Sequence, residues 1–183
     1  MYGLLTRQPL LHLTTHCRLS ALFSSSKSAM RYTKKINGLP HFIEGVVVHG
    51  FGRGGKQLGC PTANLDEVAV AQLPENFSCG VYYGLAQVGD GGLYRMVMSV
   101  GWNPHFHNEK KTMEIHILHS FTNDFYDRSI RAVALGFIRE MKSFNSLDDL
   151  MNAIRNDISI ANKKMDMINI KEYEDLDFFR LRA

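Results

Sequence analysis

From residue 41 to residue 138 the chain offers a series of short apolar runs with no amphipathic helical stretch between them, and this spacing limits the folds open to it. The run at 41–50 contains Val46-Val47-Val48, and the run at 79–88 carries Val81, Tyr82, Tyr83, Leu85 and Val88. At 93–101, Tyr94, Met96, Met98 and Val100 share one parity. At 112–121, Met113, Ile115, Ile117 and His119 share one parity, while Glu114, His116, Leu118 and Ser120 share the other. A last run, 130–138, is rich in β-branched and aromatic residues. Side chains alternate across a strand with period two, so these runs predict strands. Gly89-Asp90-Gly91-Gly92 reads as a hairpin loop and Trp102-Asn103-Pro104 as a break. Strands without intervening helices exclude a doubly wound parallel sheet and predict an antiparallel sandwich or a small barrel.

The pattern changes after residue 145. Ser146 stands where its hydroxyl would cap free amides, and Asp148 and Asp149 would sit at the positive end of a helix dipole. Leu147, Leu150, Ile154, Ile158 and Ala161 recur at helical spacing, which predicts a buried stripe on a helix running to about Lys164. Lys163 and Lys164 suit its negative end. The expected organisation is an N-terminal extension at 1–39, a folded domain at 40–170 and a tail at 171–183, where Phe178-Phe179 would tack the chain down.

Charge divides the chain in the same place. The formal net charge is +3, yet the first acid is Glu44, and six basic residues precede it in a segment rich in Ser, Thr and Leu. Without those six, 15 Lys and Arg face 18 Asp and Glu, a net of −3, so the body lacks the basic footprint of a nucleic-acid binder. A basic, Ser-rich, acid-free segment has the composition of a mitochondrial transit peptide, and initiation at Met30 would give a cytoplasmic form instead. No apolar run reaches the length of a membrane span. Cys17, Cys60 and Cys79 are too few and too scattered for a disulfide framework or a four-cysteine zinc site.

The densest feature is the segment from Gly50 to Pro61, GFGRGGKQLGCP. It satisfies G-x-G-x-x-G through Gly50, Gly52 and Gly55, and it approaches the Walker pattern with Gln57 in place of the metal-holding Ser or Thr. Both motifs need a helix to begin at the glycines, and Gly59 and Pro61 prevent one. A protein-kinase reading also fails for want of His-Arg-Asp and Asp-Phe-Gly segments. What survives is a pliable loop whose amides can cradle phosphate, with Lys56 and Arg53 as point charges. Thr62 and Asn64 follow at once. If that piece is extended, their hydroxyl and amide oxygen point the same way and suit a partly hydrated Mg2+; alone, it is as readily a turn.

These residues together resemble the riboflavin kinase (flavokinase) family, whose loop ends in Gly-x-Pro-Thr-Ala-Asn, here Gly59 to Asn64. The resemblance continues in Gly80-Val81-Tyr82-Tyr83-Gly84, Ser99-Val100-Gly101-Trp102-Asn103-Pro104, Met113-Glu114-Ile115-His116-Ile117 and Asp124-Phe125-Tyr126, and covers about residues 40–165. It implies a mainly β fold, a closed six-stranded antiparallel, Greek-key-like barrel with a C-terminal helix. It also implies transfer of the γ-phosphate of ATP to the 5′-hydroxyl of riboflavin, giving FMN, with Mg2+ or Zn2+ as the metal. Gly50, Gly52, Lys56 and Pro61 are implied in the ATP-phosphate loop, Thr62 and Asn64 in metal binding, and Glu114 as the catalytic carboxylate. Ile117, His119 and Tyr126 are implied near the nucleotide, and Arg139, Lys142 and Phe144 on the flavin side. Two departures stand out: Glu140-Met141 replaces a frequent Pro-Glu, and Asp127 stands where glycine is common.

The chemistry suits these residues. Phosphoryl transfer asks a protein for alignment and charge stabilisation, and Glu114, interrupting an apolar strand, can orient a hydroxyl and accept its proton. Taken without the family, Glu114 reads as a solvent-facing strand glutamate. The alternative function is a non-catalytic flavin- or nucleotide-binding barrel in which Glu114 is dispensable. The expected partners are riboflavin and ATP, with no nucleic acid, no membrane and a monomeric state. The chain has no room for an adenylyltransferase domain, so FAD synthesis is not expected. His116 and His119 would face opposite ways on a strand and make a poor zinc pair. His105 and His107 read as loop histidines, Cys60 carries no mark of a nucleophile, and Tyr82, Tyr83 and Trp102 read as core aromatics that could also stack on a ring.

Overall fold

Six strands and three helices arise in the order β1 (His41–Val48), β2 (Ala63–Leu65), α1 (Glu67–Ala71), β3 (Gly80–Val88), β4 (Leu93–Trp102), β5 (Lys111–Ile117), β6 (Ser129–Arg139), α2 (Leu147–Met165) and α3 (Lys171–Glu174). They are taken from a computed structural model that describes residues 38–50, 59–102 and 110–180. The expected transit segment, Gly52, Arg53, Lys56, His105 and His107 lie outside the described residues. The strands close in the order β1-β2-β5-β4-β3-β6, every neighbour antiparallel. β3, β4 and β5 form a meander and β2 returns to lie beside β5, which is a Greek key. Because β1 pairs with both β2 and β6, the sheet is a barrel rather than a sandwich.

The alternation read from the sequence is the reason β4 and β5 have an inside. Met96, Met98 and Val100 are fully buried, as are Met113 and Ile115 on the neighbouring strand. With Tyr82, Ile130 and Ala132 they fill the barrel. A small barrel packed in this way has no lumen for a ligand, so a site must lie outside its interior.

β3 and β6 do not alternate, because a second core covers their outer face. Tyr83, Leu85, Val133 and Leu135 pack there against Ala161 and Met165 of α2, Tyr173 of α3 and Phe179. Arg131 fastens this cover, donating to the carbonyls of Phe178 (3.2 Å), Arg180 (3.0 Å) and Gly89 (2.9 Å). Phe42 meets Phe178 edge-on at 4.9 Å. The segment after residue 170, expected as a tail, is thus part of the covered wall.

Three expectations are corrected. α2 starts where Ser146 accepts a hydrogen bond from the Asp149 amide at 3.1 Å, as expected, but Leu147 is 59% exposed. Its neighbours at 141–149 are nearly all exposed, so the first turn overhangs the wall, and the fully buried positions are Asp157, Ala161 and Met165. β5 ends at Ile117 and not near 121; the Leu118 amide makes one more bond to the Arg95 carbonyl, and His119 then leaves the barrel to stack on Tyr94 at 3.9 Å. β2 and α1 were not anticipated, since elements of three and five residues are too short to display a period.

Candidate active site

The barrel wall brings distant residues into one line. Register partners across successive strands run Asn64 (β2), Glu114 (β5), Ser99 (β4), Val81 (β3), Arg139 (β6). Their neighbours Ala63, Met113, Ile115, Met98 and Val100 point inward, so these residues point outward. At about 4.8 Å per strand, Glu114 and Arg139 stand roughly 14 Å apart along the row.

At its β2 end the row carries a polar cluster. The Thr62 hydroxyl donates to Glu114 Oε2 at 3.0 Å, across 52 positions of sequence. A hydroxyl has one proton and two lone pairs, so giving its proton to Glu114 leaves Thr62 oxygen lone pairs free for a cation. Asn64 lies beside Glu114 in register, and its side chain occupies the place a Cβ on Gly50 would take. Only glycine lets the loop start this close to the Asn64 amide. His49, one residue earlier, stacks on Tyr126 at 3.8 Å, so Tyr126 stands beside the same loop. Asp127 bonds the β1 edge through its amide to the Val47 carbonyl at 2.9 Å, with φ at 61°, a left-handed value that explains why glycine suits this place.

One residue of this cluster was missed by sequence reasoning. His116 Nδ1 lies 2.8 Å from the Pro61 carbonyl and ties β5 to the turn that presents Thr62. The available signal was parity, since His116 shares the outward face of Glu114 two residues away.

The remaining expected residues are spread over the wall. Ile117 is buried in the barrel core. His119 sits in an aromatic group with Tyr94 and Phe121. Arg139 reaches α2, where its Nε and Nη2 grip the buried Asp157 carboxylate at 2.7–3.1 Å. Its guanidinium also lies over the Phe144 ring at 5.7 Å, and the Lys142 ammonium faces that ring at 5.2 Å. An open cavity of about 370 Å³ is lined by Lys142, Phe144, Asp149 and Asn152. A second, of about 450 Å³, is lined by Ser78, Cys79, Phe137, Glu140 and Met141. Tyr82 is committed to the core: burial, and secondarily Cys79, push its phenol up to about 12, and its hydroxyl donates to the Ser78 carbonyl. Burial raises Tyr83 as well, whereas Trp102 is half exposed.

Comparison with known proteins gives the same picture. The family model described as "Flavokinase: Riboflavin kinase" matches residues 37–165. A riboflavin kinase of Mus musculus is 47% identical over 146 residues, covering 80% of this chain and 94% of its own length. Among solved structures, riboflavin kinase from Trypanosoma brucei superposes with a TM-score of 0.62 at 28% identity, over 78% of this chain and 90% of that one. A protein of Streptococcus pneumoniae described as a macrolide-efflux protein gives a TM-score of 0.56 at 32% identity, over 68% of this chain and only 39% of that one.

A packed six-stranded barrel matched over most of its length by this family model is a phosphotransferase whose acceptor is an alcohol. The chain belongs to the riboflavin kinase family.

Proposed function

We propose that the chain transfers the γ-phosphate of ATP to the ribityl 5′-hydroxyl of riboflavin, releasing FMN and ADP. The observation that carries this reading is the meeting of Thr62 and Glu114 at 3.0 Å, beside the Gly50–Asn64 contact. A carboxylate, a hydroxyl and an amide converge there on the edge of the glycine loop. In the transfer, the bond from the 5′-oxygen to the γ-phosphorus forms as the bond to the β–γ bridging oxygen breaks. Glu114 orients the attacking hydroxyl and takes its proton late. By family resemblance, the glycine-rich segment after Gly50 would supply amides and the Lys56 charge to the phosphates.

The donors present fit a divalent cation. Among the described residues no group of three or more His, Cys, Asp and Glu could hold a metal alone. Thr62 and Asn64 are hard, neutral oxygen donors, the kind that suits a hydrated ion completed by phosphate oxygens. They would hold Mg2+, with Zn2+ as the alternative, and the ion would offset charge on the phosphates. The non-catalytic binding barrel is not favoured, because it leaves the Thr62–Glu114–Asn64 convergence without a purpose.

The test is to incubate purified protein with ATP, riboflavin and Mg2+ or Zn2+ and to separate the flavins by chromatography. FMN formation is expected; bound riboflavin with no FMN under either metal would return the binding-module reading. We also propose mitochondrial delivery by the acid-free segment before Glu44, to be tested by fusing residues 1–40 to a fluorescent protein.

A further inference from the structure

We propose that Ser99 is a substrate-positioning residue that holds a ribityl hydroxyl of the acceptor next to Glu114. The proposal rests on the riboflavin kinase reading and deepens it.

Ser99 is the direct register partner of Glu114 on β4, as Asn64 is on β2. Paired residues on antiparallel strands stand about 4.5–5.5 Å apart at Cα. Met98 and Val100 are fully buried in the barrel, so Ser99 faces outward with Glu114 and is half-buried. Its hydroxyl has no hydrogen-bond partner among the described residues, although its two cross-strand neighbours are Glu114 and Val81.

Direction decides its role. Among the described residues, the groups assigned above to phosphate and metal lie on the β2 side of Glu114: the Gly50–Asn64 contact and the Thr62 hydroxyl. Phosphoryl transfer runs with attacking and leaving oxygens roughly in line, so the acceptor must reach Glu114 from the opposite side. That side is β4, and Ser99 is the first outward residue on it.

The wall beyond Ser99 is shaped for the rest of such a substrate. The next outward position on β4 is Gly101, which has no side chain and is buried beneath Met141, whose Cε lies 3.2 Å from where a Cβ there would stand. Met141 also lines the cavity of about 450 Å³ with Cys79, Phe137 and Glu140. Gly101 to Ser99 is about 6.8 Å along β4 and Glu114 lies about 5 Å further across, so the diagonal from Gly101 to Glu114 is roughly 8 Å, about the reach of an extended five-carbon polyol. A ring in that cavity, with Met141 turned aside from Gly101, would extend its ribityl chain diagonally across Ser99 to end at Glu114. The Ser99 hydroxyl meets the 3′- or 4′-hydroxyl on the way.

The experiment compares wild type, Ser99→Ala and Ser99→Thr in steady-state FMN formation. Riboflavin is varied at saturating ATP, and ATP at saturating riboflavin. For Ser99→Ala, kcat/KM for riboflavin should fall about two- to ten-fold, the scale of one neutral hydrogen bond, while KM for ATP and the melting temperature hold. Ser99→Thr, which keeps the hydroxyl, should recover most of the loss. A riboflavin analogue lacking the 3′- or the 4′-hydroxyl should be a poorer substrate of the wild type and lose nothing more in Ser99→Ala. Unchanged riboflavin kinetics in Ser99→Ala, or parallel losses for ATP and riboflavin, would overturn the proposal. A wild-type protein that makes no FMN overturns the kinase reading itself, and the role of Ser99 with it.

Discussion

The outer wall of the barrel has two halves that treat the same strand geometry in opposite ways. Over β3 and β6 the outward residues are Tyr83, Leu85, Val133 and Leu135, and α2, α3 and Phe179 cover them. Over β2 and β5 they are Thr62, Asn64, Glu114 and His116, and the described residues lay no helix on them. The covered half turns side chains into stability. The bare half leaves polar groups half-exposed, where a ligand can reach them. Arg139 and Glu114 stand in one register row, yet Arg139 belongs to the first half, through Asp157, and Glu114 to the second.

Glu114→Gln tests that division most severely. It keeps shape and removes only the ability to take a proton. Turnover is expected to fall 10²–10⁴-fold while the urea midpoint stays within error of wild type. A loss of stability with intact turnover would move Glu114 into the structural half.

Asp157→Ala should do the reverse. Asp157 is buried and held bidentately by Arg139, whose side chain is 23% exposed. Removing the carboxylate strands the guanidinium against the wall. The expected cost is about 2–4 kcal/mol, a fall in melting temperature of roughly 5–15 °C by calorimetry. Turnover of the remaining folded protein, measured well below that temperature, should keep its KM for ATP. A changed KM for riboflavin at unchanged stability would reassign the Arg139–Asp157 pair to the acceptor side of the active site.

His116 sharpens the boundary from the bare side. Its Nδ1 holds the Pro61 carbonyl at 2.8 Å. His116→Ala is expected to raise the Mg2+ concentration for half-maximal rate by about five-fold, equivalent to one hydrogen bond of about 1 kcal/mol. His116→Asn, whose amide nitrogen reaches the same place as Nδ1, should restore most of it. If both variants weaken Mg2+ dependence equally, the imidazole does more than fix the turn.

The two halves were also unequally legible in the sequence. β4 and β5 could be read by parity because their outer faces carry polar residues, Arg95 and Ser99 on β4 and Glu114 and His116 on β5, leaving Met96, Met98 and Val100, or Met113, Ile115 and Ile117, as clean apolar sets even though α2 covers part of β4 through Arg95 and Val97. β3 and β6 are apolar on both faces, so their inward set could not be told from the outward one until α2 and α3 were in place. The Thr62–Glu114 pair needs the register of β2 on β5, and β2 has three residues, held by pairing on both sides and not by any period of its own. Family resemblance pointed to both residues, but not to their contact, and it included His116 without giving it a role. Asp157 is a polar interruption of a buried stripe, and its partner lies 18 residues earlier, beyond the reach of any helical spacing rule.

The smallest expected effect lies inside the covered protein, and it concerns pH. His41 opens β1 opposite Ala134, with its ring tilted against Phe77 at 5.1 Å. Burial lowers its pKa from the ordinary 6.5. The folded state therefore binds this proton less readily than the unfolded chain. The stability His41 contributes is fully present above about 6.5 and declines as pH falls through that value toward the folded pKa. His41→Phe keeps an aromatic ring against Phe77 and removes the proton site. Urea titrations at pH 7.5 and 5.5 should give a smaller acid loss for His41→Phe than for wild type, the difference cancelling the other titrating groups. Glu114→Gln should leave that difference untouched, because Glu114 stands on the bare wall and His41 does not. Equal acid losses in wild type and His41→Phe would show that this end of β1 is open to water, and the covered part of the barrel would then begin further along the strand.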